Sequence, residues 1–352
     1  MRVNANLSTT GRMRAALSTA VVVWALAAVT PTAATASTTT ASTVTRISVA
    51  TDDGYGAASI TPDGRSVVFT SLRNAPPQSG NEVYVHDRLT GQTRTEPLTE
   101  GWTPAISGDG RQVAANAPAQ GMSSQRIRQH SLNLGLLPVI CGRCNQPSLS
   151  TDGRYLAFGA LRTGLLRNVV ISDRDGGFQT IASLNSSAPA RPSISGDGRY
   201  VAYQDLSYQT EGVYLHDRTT GTTSGPLEGP ATSASLVQLS DNGTKVVYVS
   251  GPDTYVHDIA SGTAQLVPNV RGLAIDPTGR YLLHAPNTTG GPSLVLRDLP
   301  KATDRTVSTE PATAEVDSVG AGGRDVVFQS SADNIVPGDT NGKPDVFVRT
   351  FS

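Results

Sequence analysis

The sequence predicts an all-β fold, a seven-bladed β-propeller of four-stranded antiparallel blades, with the ring closed by an N-terminal strand that completes the last blade. Three observations carry this. A tight turn ending in Gly-Arg or a near variant recurs seven times. A short, continuous apolar run follows nearly every copy. The two ends of the repeat array carry complementary fragments of one unit.

The turns read TPDGR at 61–65, SGDGR at 107–111, STDGR at 150–154, SGDGR at 195–199, SDNGTK at 240–245, DPTGR at 276–280 and GAGGR at 320–324. Their glycines, from Gly64 to Gly323, are separated by 36 to 46 residues. Such a period fits about four short strands, the size of a propeller blade. A short strand a precedes each turn, as in Ala58-Ser59-Ile60. Strand b follows as SVVF at 66–69, YLAF at 155–158, YVAY at 200–203, KVVYV at 245–249 and DVVF at 325–328. Apolar runs without alternation suit strands covered on both faces, as blades sandwiched between neighbours are.

Strand c reads EVYVHD at 82–87, GVYLHD at 212–217, DTYVHD at 253–258 and DVFVRT at 345–350. Asp-Arg-x-Thr-Gly turns follow at 87–91 and 217–221, placing Gly91 and Gly221 where a left-handed conformation is required. Residues 45–51 read as a strand d without a blade, and the repeat at the C-terminal end stops after a strand c. Pairing the two closes the ring and removes an exposed edge.

Composition agrees. The 352 residues are rich in Gly, Pro, Ser and Thr, and the net charge is −1. No basic stripe interleaved with aromatics occurs, so nucleic acid is not an expected partner. Arg2, Arg12 and Arg14 precede an apolar stretch at 15–30, and Ala34-Thr35-Ala36 supplies small residues for cleavage. Residues 1–36 therefore read as a secretory signal peptide, with no stable membrane insertion after cleavage. Residues 37–44 read as a Ser/Thr-rich linker, and 45–352 as the propeller. Secretion, or residence in the cell envelope, follows as the expected location.

The S-x-D-G-R-x-[VL]-[AV]-[FY] segment, followed by the [VY]-[YF]-[VL]-x-D-R-x-T-G strand, resembles the TolB-type, WD-repeat-like propeller family over residues 45–352. The resemblance implies a propeller serving as an extracytoplasmic scaffold or as a domain beside an enzyme. It does not fix a function. No G-x-S-x-G elbow of an appended hydrolase occurs in the sequence.

Propeller geometry puts the regular a–b and c–d turns on one face and the irregular b–c and d–a loops on the other. The second face is the candidate binding face. Trp102 and Tyr55, with Asp52 and Asp53, are its candidate contact residues. The His-Asp pairs at 86–87, 216–217 and 257–258 occupy equivalent places in three blades. They cannot converge on one metal, and hairpin capping is their expected role. The Asp residues of the DGR turns are read in the same way.

Within 333–345, Asp339, Asn341 and Asp345 place oxygens around Gly342 and partly match a calcium loop. One reading is a structural Ca²⁺ there. The other is a loop held by its own side-chain turns, and no cofactor is otherwise required. Cys141 and Cys144 form a lone C-x-x-C. Such a pair can be a redox centre, half a zinc site or a local disulfide. No second metal pair follows, and export favours the disulfide.

The strand a segments ASI, PAI, PSL, PSI, VQL, LAI and DSV contain one ionisable residue, Asp317. The expected function is therefore a non-catalytic, monomeric extracytoplasmic scaffold binding a protein or cell-wall polymer through the b–c and d–a face. The alternative is a secreted lyase, lactonase or glycan hydrolase with a site at the central channel.

Overall fold

The computed structural model describes residues 42–48, 54–72, 82–94, 102–118, 125–132, 135–137, 141, 143–161, 167–184, 191–205, 212–229 and 233–352. The signal peptide, most of the linker, and Asp52 and Asp53 lie outside the described residues. Two units are distinguished, Met1–Thr39 and Thr40–Ser352, and the second is the propeller.

Six antiparallel sheets each hold four strands in the order a-b-c-d. Blade 1 is built from Gly54–Ile60, Ser66–Leu72, Val83–Asp87 and Gln92–Arg94, and blades 2 to 6 repeat the pattern as far as Ser308. The seventh sheet joins Asp325–Ser330 and Asp345–Phe351 to Ser42–Arg46. Ring closure is thus as expected, but its strand begins earlier than the sequence suggests. Thr45 pairs with Val348, and Ile47 donates its N–H to Val346 O at 2.8 Å. Ser42 to Val44 therefore belong to the sheet and not to the linker. The register is set by Ile47, which is buried in the interface between blades 7 and 1.

Seven apolar clusters lie among the described residues, one in each interface of the ring. Val247, Val256 and Val267 of blade 5 meet Ile275 and Leu282 of blade 6. Val327, Val346 and Val348 of blade 7 meet Ile60, Val67 and Phe69 of blade 1. This is why the b strands are apolar on both faces.

The turns are built as their residue types require. In the DGR turns, Asp63, Asp109, Asp152 and Asp197 accept the hydroxyl two residues before them and the Arg N–H two residues after, at 2.6–3.0 Å. The turn arginine then reaches the Asp that ends strand c of its own blade. Arg65–Asp87, Arg154–Asp173, Arg199–Asp217 and Arg280–Asp298 repeat this fork at 2.8–3.3 Å. Lys245 takes the same partner, Asp258, in blade 5. The Arg guanidinium beside it holds Asp87 down at about 2, and Asp217 likewise. The charges of the repeat are consumed within the scaffold.

Candidate active site at the channel mouth

Strand a is the innermost strand of each blade and borders the central channel. Blade 7 breaks the pattern. Between Ser308 and Asp325 it has no regular inner strand, only isolated bridges at Thr313–Gln329 and Val319–Val326. A turn at Val316–Asp317 interrupts it, and Asp317 has φ +58°. This turn gives the channel Glu315, Val316 and Asp317. All three are solvent-accessible, although protein crowds both acids.

Asp317 is fixed from two blades away. Gln238 of blade 5 donates from Nε2 to Asp317 Oδ1 at 2.6 Å, while its Oε1 accepts the Ile275 N–H of blade 6 at 3.1 Å. The carbonyl of Asp317 accepts the Ile60 N–H of blade 1 at 2.8 Å. Blades 5, 6, 7 and 1 are therefore joined through Gln238 and Asp317. Burial pushes the Asp317 carboxyl up to about 6, against the pull of Gln238. At the turn end, burial and the charges of Asp317 and Asp276 push Asp241 up to about 7.

Glu315 lies within electrostatic reach of Arg191 of blade 4 and Arg271 of blade 6. Burial raises its carboxyl above the ordinary glutamate range, and the two guanidinium charges pull it back. Arg191 and Arg271 are exposed, and among the described residues neither guanidinium enters an ion pair or side-chain hydrogen bond. They differ in this from the arginines of the repeat turns.

Arg191 is held by its backbone. Thr103, Gln146 and Arg191 stand at equivalent inner-strand positions of blades 2, 3 and 4, with φ of +49°, +58° and +39°. Side chains link them in series. The Arg191 N–H donates to Gln146 Oε1 at 3.0 Å, and the Gln146 N–H to Asn116 Oδ1 at 3.0 Å. Asn116 Nδ2 then donates to Thr103 Oγ1 at 2.7 Å. Non-glycine residues in this region cost free energy and persist where neighbours hold them.

The other sequence candidates fall elsewhere. Trp102 is half-buried and is the first residue of strand a in blade 2. Tyr55 is 6% exposed and meets Phe69 edge-on, so it is a core residue and no surface contact. Its strand position turns the ring into the blade 7–1 interface. Asp339 and Asp345 face Arg46 at 3.3 and 3.9 Å, and Asp345 also accepts from Ser48 and Asn341. The loop thus carries an internal cation and its own side-chain bonds. Cys141 and Cys144 are joined in a disulfide.

Sequence reasoning missed Glu315, Arg191, Arg271 and Gln238 as a set. Three of the four lie just upstream of the strand a cores, and only the ring geometry brings them together. One signal was present: blade 7 alone carries acids at both ends of its inner segment.

No family model matches the chain, and no curated protein matches it. Among solved structures, it is similar to an oligogalacturonate lyase in complex with manganese, with TM-score 0.63 and 17% identity over 90% of this chain and 94% of the other. An oligogalacturonate lyase from Vibrio parahaemolyticus gives TM-score 0.63 and 14% identity over 87% and 93%. A prolyl endopeptidase gives 0.55 and 15% over 79% of this chain and 45% of the other. These likenesses establish the propeller fold.

They also correct the functional expectation. The two propellers that match along nearly their whole length are enzymes, and in this chain Glu315 lies within electrostatic reach of Arg191 and Arg271. The scaffold reading is therefore set aside. Manganese, present in one neighbour, finds no matching donor set among the described residues. All five histidines of the chain sit on strands b or c: His86, His130, His216, His257 and His284. Both cysteines are in the disulfide. Among the described residues, no three His, Cys, Asp or Glu side chains are grouped to hold a metal.

Proposed function

We propose that this chain is an exported enzyme that cleaves an acidic oligosaccharide by β-elimination at the mouth of its central channel, with Glu315 as the proton-transferring group. The observation that supports this most is that Glu315, half of an acidic turn of blade 7, lies within electrostatic reach of Arg191 of blade 4 and Arg271 of blade 6. The likeness to two oligogalacturonate lyases supports the reaction class. The N-terminal segment with its Arg residues and apolar stretch supports export.

The chemistry follows from the group's environment. In β-elimination, a base removes the proton on the carbon next to the sugar's carboxylate. The electron pair forms a carbon–carbon double bond, the neighbouring C–O bond breaks, and the leaving oxygen takes a proton from channel water. A carboxyl shifted upward by burial is a stronger base than an exposed one. Positive charge beside it stabilises the negative charge that builds up in the transition state.

The test is a time course of ultraviolet absorbance, which reports the conjugated double bond, with short oligogalacturonates and the purified protein. Turnover is expected, with a loss of roughly 10²–10⁴-fold in Glu315→Gln. Absence of product across pH 5 to 9, or turnover unchanged in Glu315→Gln, would sink the proposal.

A further inference from the structure

We infer that a cleft between blades 1 and 2, on the face of the repeat turns, is a binding site for a small hydroxylated carboxylate of monosaccharide size. None of its walls is shared with the site of Glu315, and the inference stands whether or not the chain catalyses elimination.

The repeat explains why the cleft exists. Each repeat-turn glycine sits over the first residue of strand b in the preceding blade. Tyr155, Tyr200 and Tyr281 fill that place in blades 3, 4 and 6, and Gln112, Lys245 and Asp325 fill it in blades 2, 5 and 7. Blade 1 has Ser66, the smallest of the seven. A Cβ added at Gly110 would lie 3.3 Å from Ser66 Oγ, whereas at the other six glycines it would stand 2.2–3.0 Å from the plugging side chain.

The neighbouring blade does not fill the gap. Arg88 of blade 1 reaches over Asp325 of blade 7 at 3.0 Å, and Arg218 of blade 4 lies 4.4 Å from the centre of the Tyr155 ring. Leu132 holds the equivalent place in blade 2, since its N–H donates to the Arg111 carbonyl as that of Arg88 donates to Arg65. Serine and leucine thus stand where larger pairs meet elsewhere. A cleft of about 540 Å³ remains, within the range of roughly 300–1,000 Å³ usual for ligand sites.

Its charges are unevenly used. Asp63 and Asp109 accept the hydroxyl and N–H groups of their own turns, and Asp87 holds Arg65. Arg111 lacks such a fork, because strand c of blade 2 ends in Ser131 where that of blade 1 ends in Asp87. Its side chain is 71% exposed, and its one ion contact among the described residues is with Asp109 at 4.0 Å. Arg94, on the same wall, gives one bond from Nη1 to the Leu132 carbonyl at 3.0 Å. Two guanidinium groups therefore keep donors to spare beside acids that are already engaged. That favours an anion, and the planar fork suits a carboxylate. Ser66, Thr90 and Gln92 line the cleft with hydroxyl and amide groups that match sugar hydroxyls.

The experiment is calorimetric titration of the purified protein with galacturonate, galactose and inorganic phosphate, for wild type, Ser66→Tyr and Arg111→Ala. Ser66→Tyr restores the plug of blades 3, 4 and 6, so it should denature no earlier than wild type. Galacturonate is expected to bind wild type saturably, to bind Arg111→Ala roughly tenfold more weakly or worse, and to be lost in Ser66→Tyr. Galactose, without the carboxylate, should bind at least tenfold more weakly than galacturonate. No saturable binding of galacturonate by wild type, or affinity unchanged in either variant, would overturn the inference. Galactose or phosphate bound as tightly as galacturonate would overturn the ligand class. If Ser66→Tyr proves unstable, Arg111→Ala decides alone.

Discussion

Gln238 Nε2 lies 2.6 Å from Asp317 Oδ1, across 79 residues, and the bond passes over the inner strand of the intervening blade. A single amide thereby fixes the irregular turn that carries Glu315 into the channel. Gln238→Ala should cost about 1–3 kcal/mol, because it strips Asp317 of its donor and the Ile275 N–H of its acceptor. Chemical denaturation measures this. A variant as stable as wild type would show that the bond is incidental.

The same logic applies to Arg191. Gln146→Ala removes the acceptor of the Arg191 N–H and frees the backbone from its left-handed state. Arg191 then moves from Glu315, and the Glu315 carboxyl should titrate higher than in wild type. Carbon-13 NMR of the carboxyl reads this directly. An unchanged titration in Gln146→Ala, with an upward move in Arg191→Ala, would show that Gln146 does not position the arginine.

Two glycines with nearly the same backbone separate strain from crowding. Gly221 has φ +72° and open space where a Cβ would stand, whereas a Cβ at Gly198, φ +73°, would lie 2.2 Å from the Tyr155 ring. Gly221→Ala should cost about 1 kcal/mol from the left-handed conformation alone. Gly198→Ala should cost clearly more, since the ring belongs to the neighbouring blade and is held between Arg154 and Arg218. Equal losses in denaturation experiments would contradict the tight contact.

His284 is 2% exposed, and neither ring nitrogen has a hydrogen-bond partner. Burial pushes it down to about 4; Asp304 opposes the drop and Arg297 adds to it. The unfolded chain, with an ordinary value near 6.5, binds the proton more readily. This contribution to stability is complete above about 6.5 and is lost as pH falls toward 4, by roughly 3 kcal/mol in all. His284→Leu should flatten the stability profile between pH 6.5 and 4. An unchanged slope would show that other groups govern acid sensitivity.

Ring closure depends on few residues. Asp345 is fully buried and accepts from Ser48 and Asn341, while Arg46 reaches Asp339. A chain beginning after Ser48 exposes the edge of Asp345–Phe351 and removes Ile47 from the core. It should aggregate or unfold cooperatively at lower denaturant, as light scattering and denaturation report. Unimpaired stability would show that the closing strand is dispensable.

Much of this architecture is legible in the sequence because it is local. The Asp of SGDGR and the Gly after it dictate a turn by themselves, and VVF or LAF runs dictate strands covered on both sides. Closure is readable because the fragment at Thr45 complements the one at Asp345. The fork of Arg199 onto Asp217 spans one blade, so a repeat could have suggested it. The site is hidden for a different reason. Arg191, Gln238, Arg271 and Glu315 belong to four blades, and no local pattern links residues brought together only by the curvature of a closed ring. Tyr55 departs from its expected surface role because the inner strand of blade 1 starts earlier than its apolar core implies.

The central claim is that Glu315 is the proton-transferring group at the channel mouth. The most direct test is a crystal structure of Glu315→Gln soaked with trigalacturonate. The expected result is a uronate at the channel mouth, with residue 315 facing the carbon next to its carboxylate. Sugar bound away from residue 315, or an empty channel mouth at saturating ligand, would contradict it.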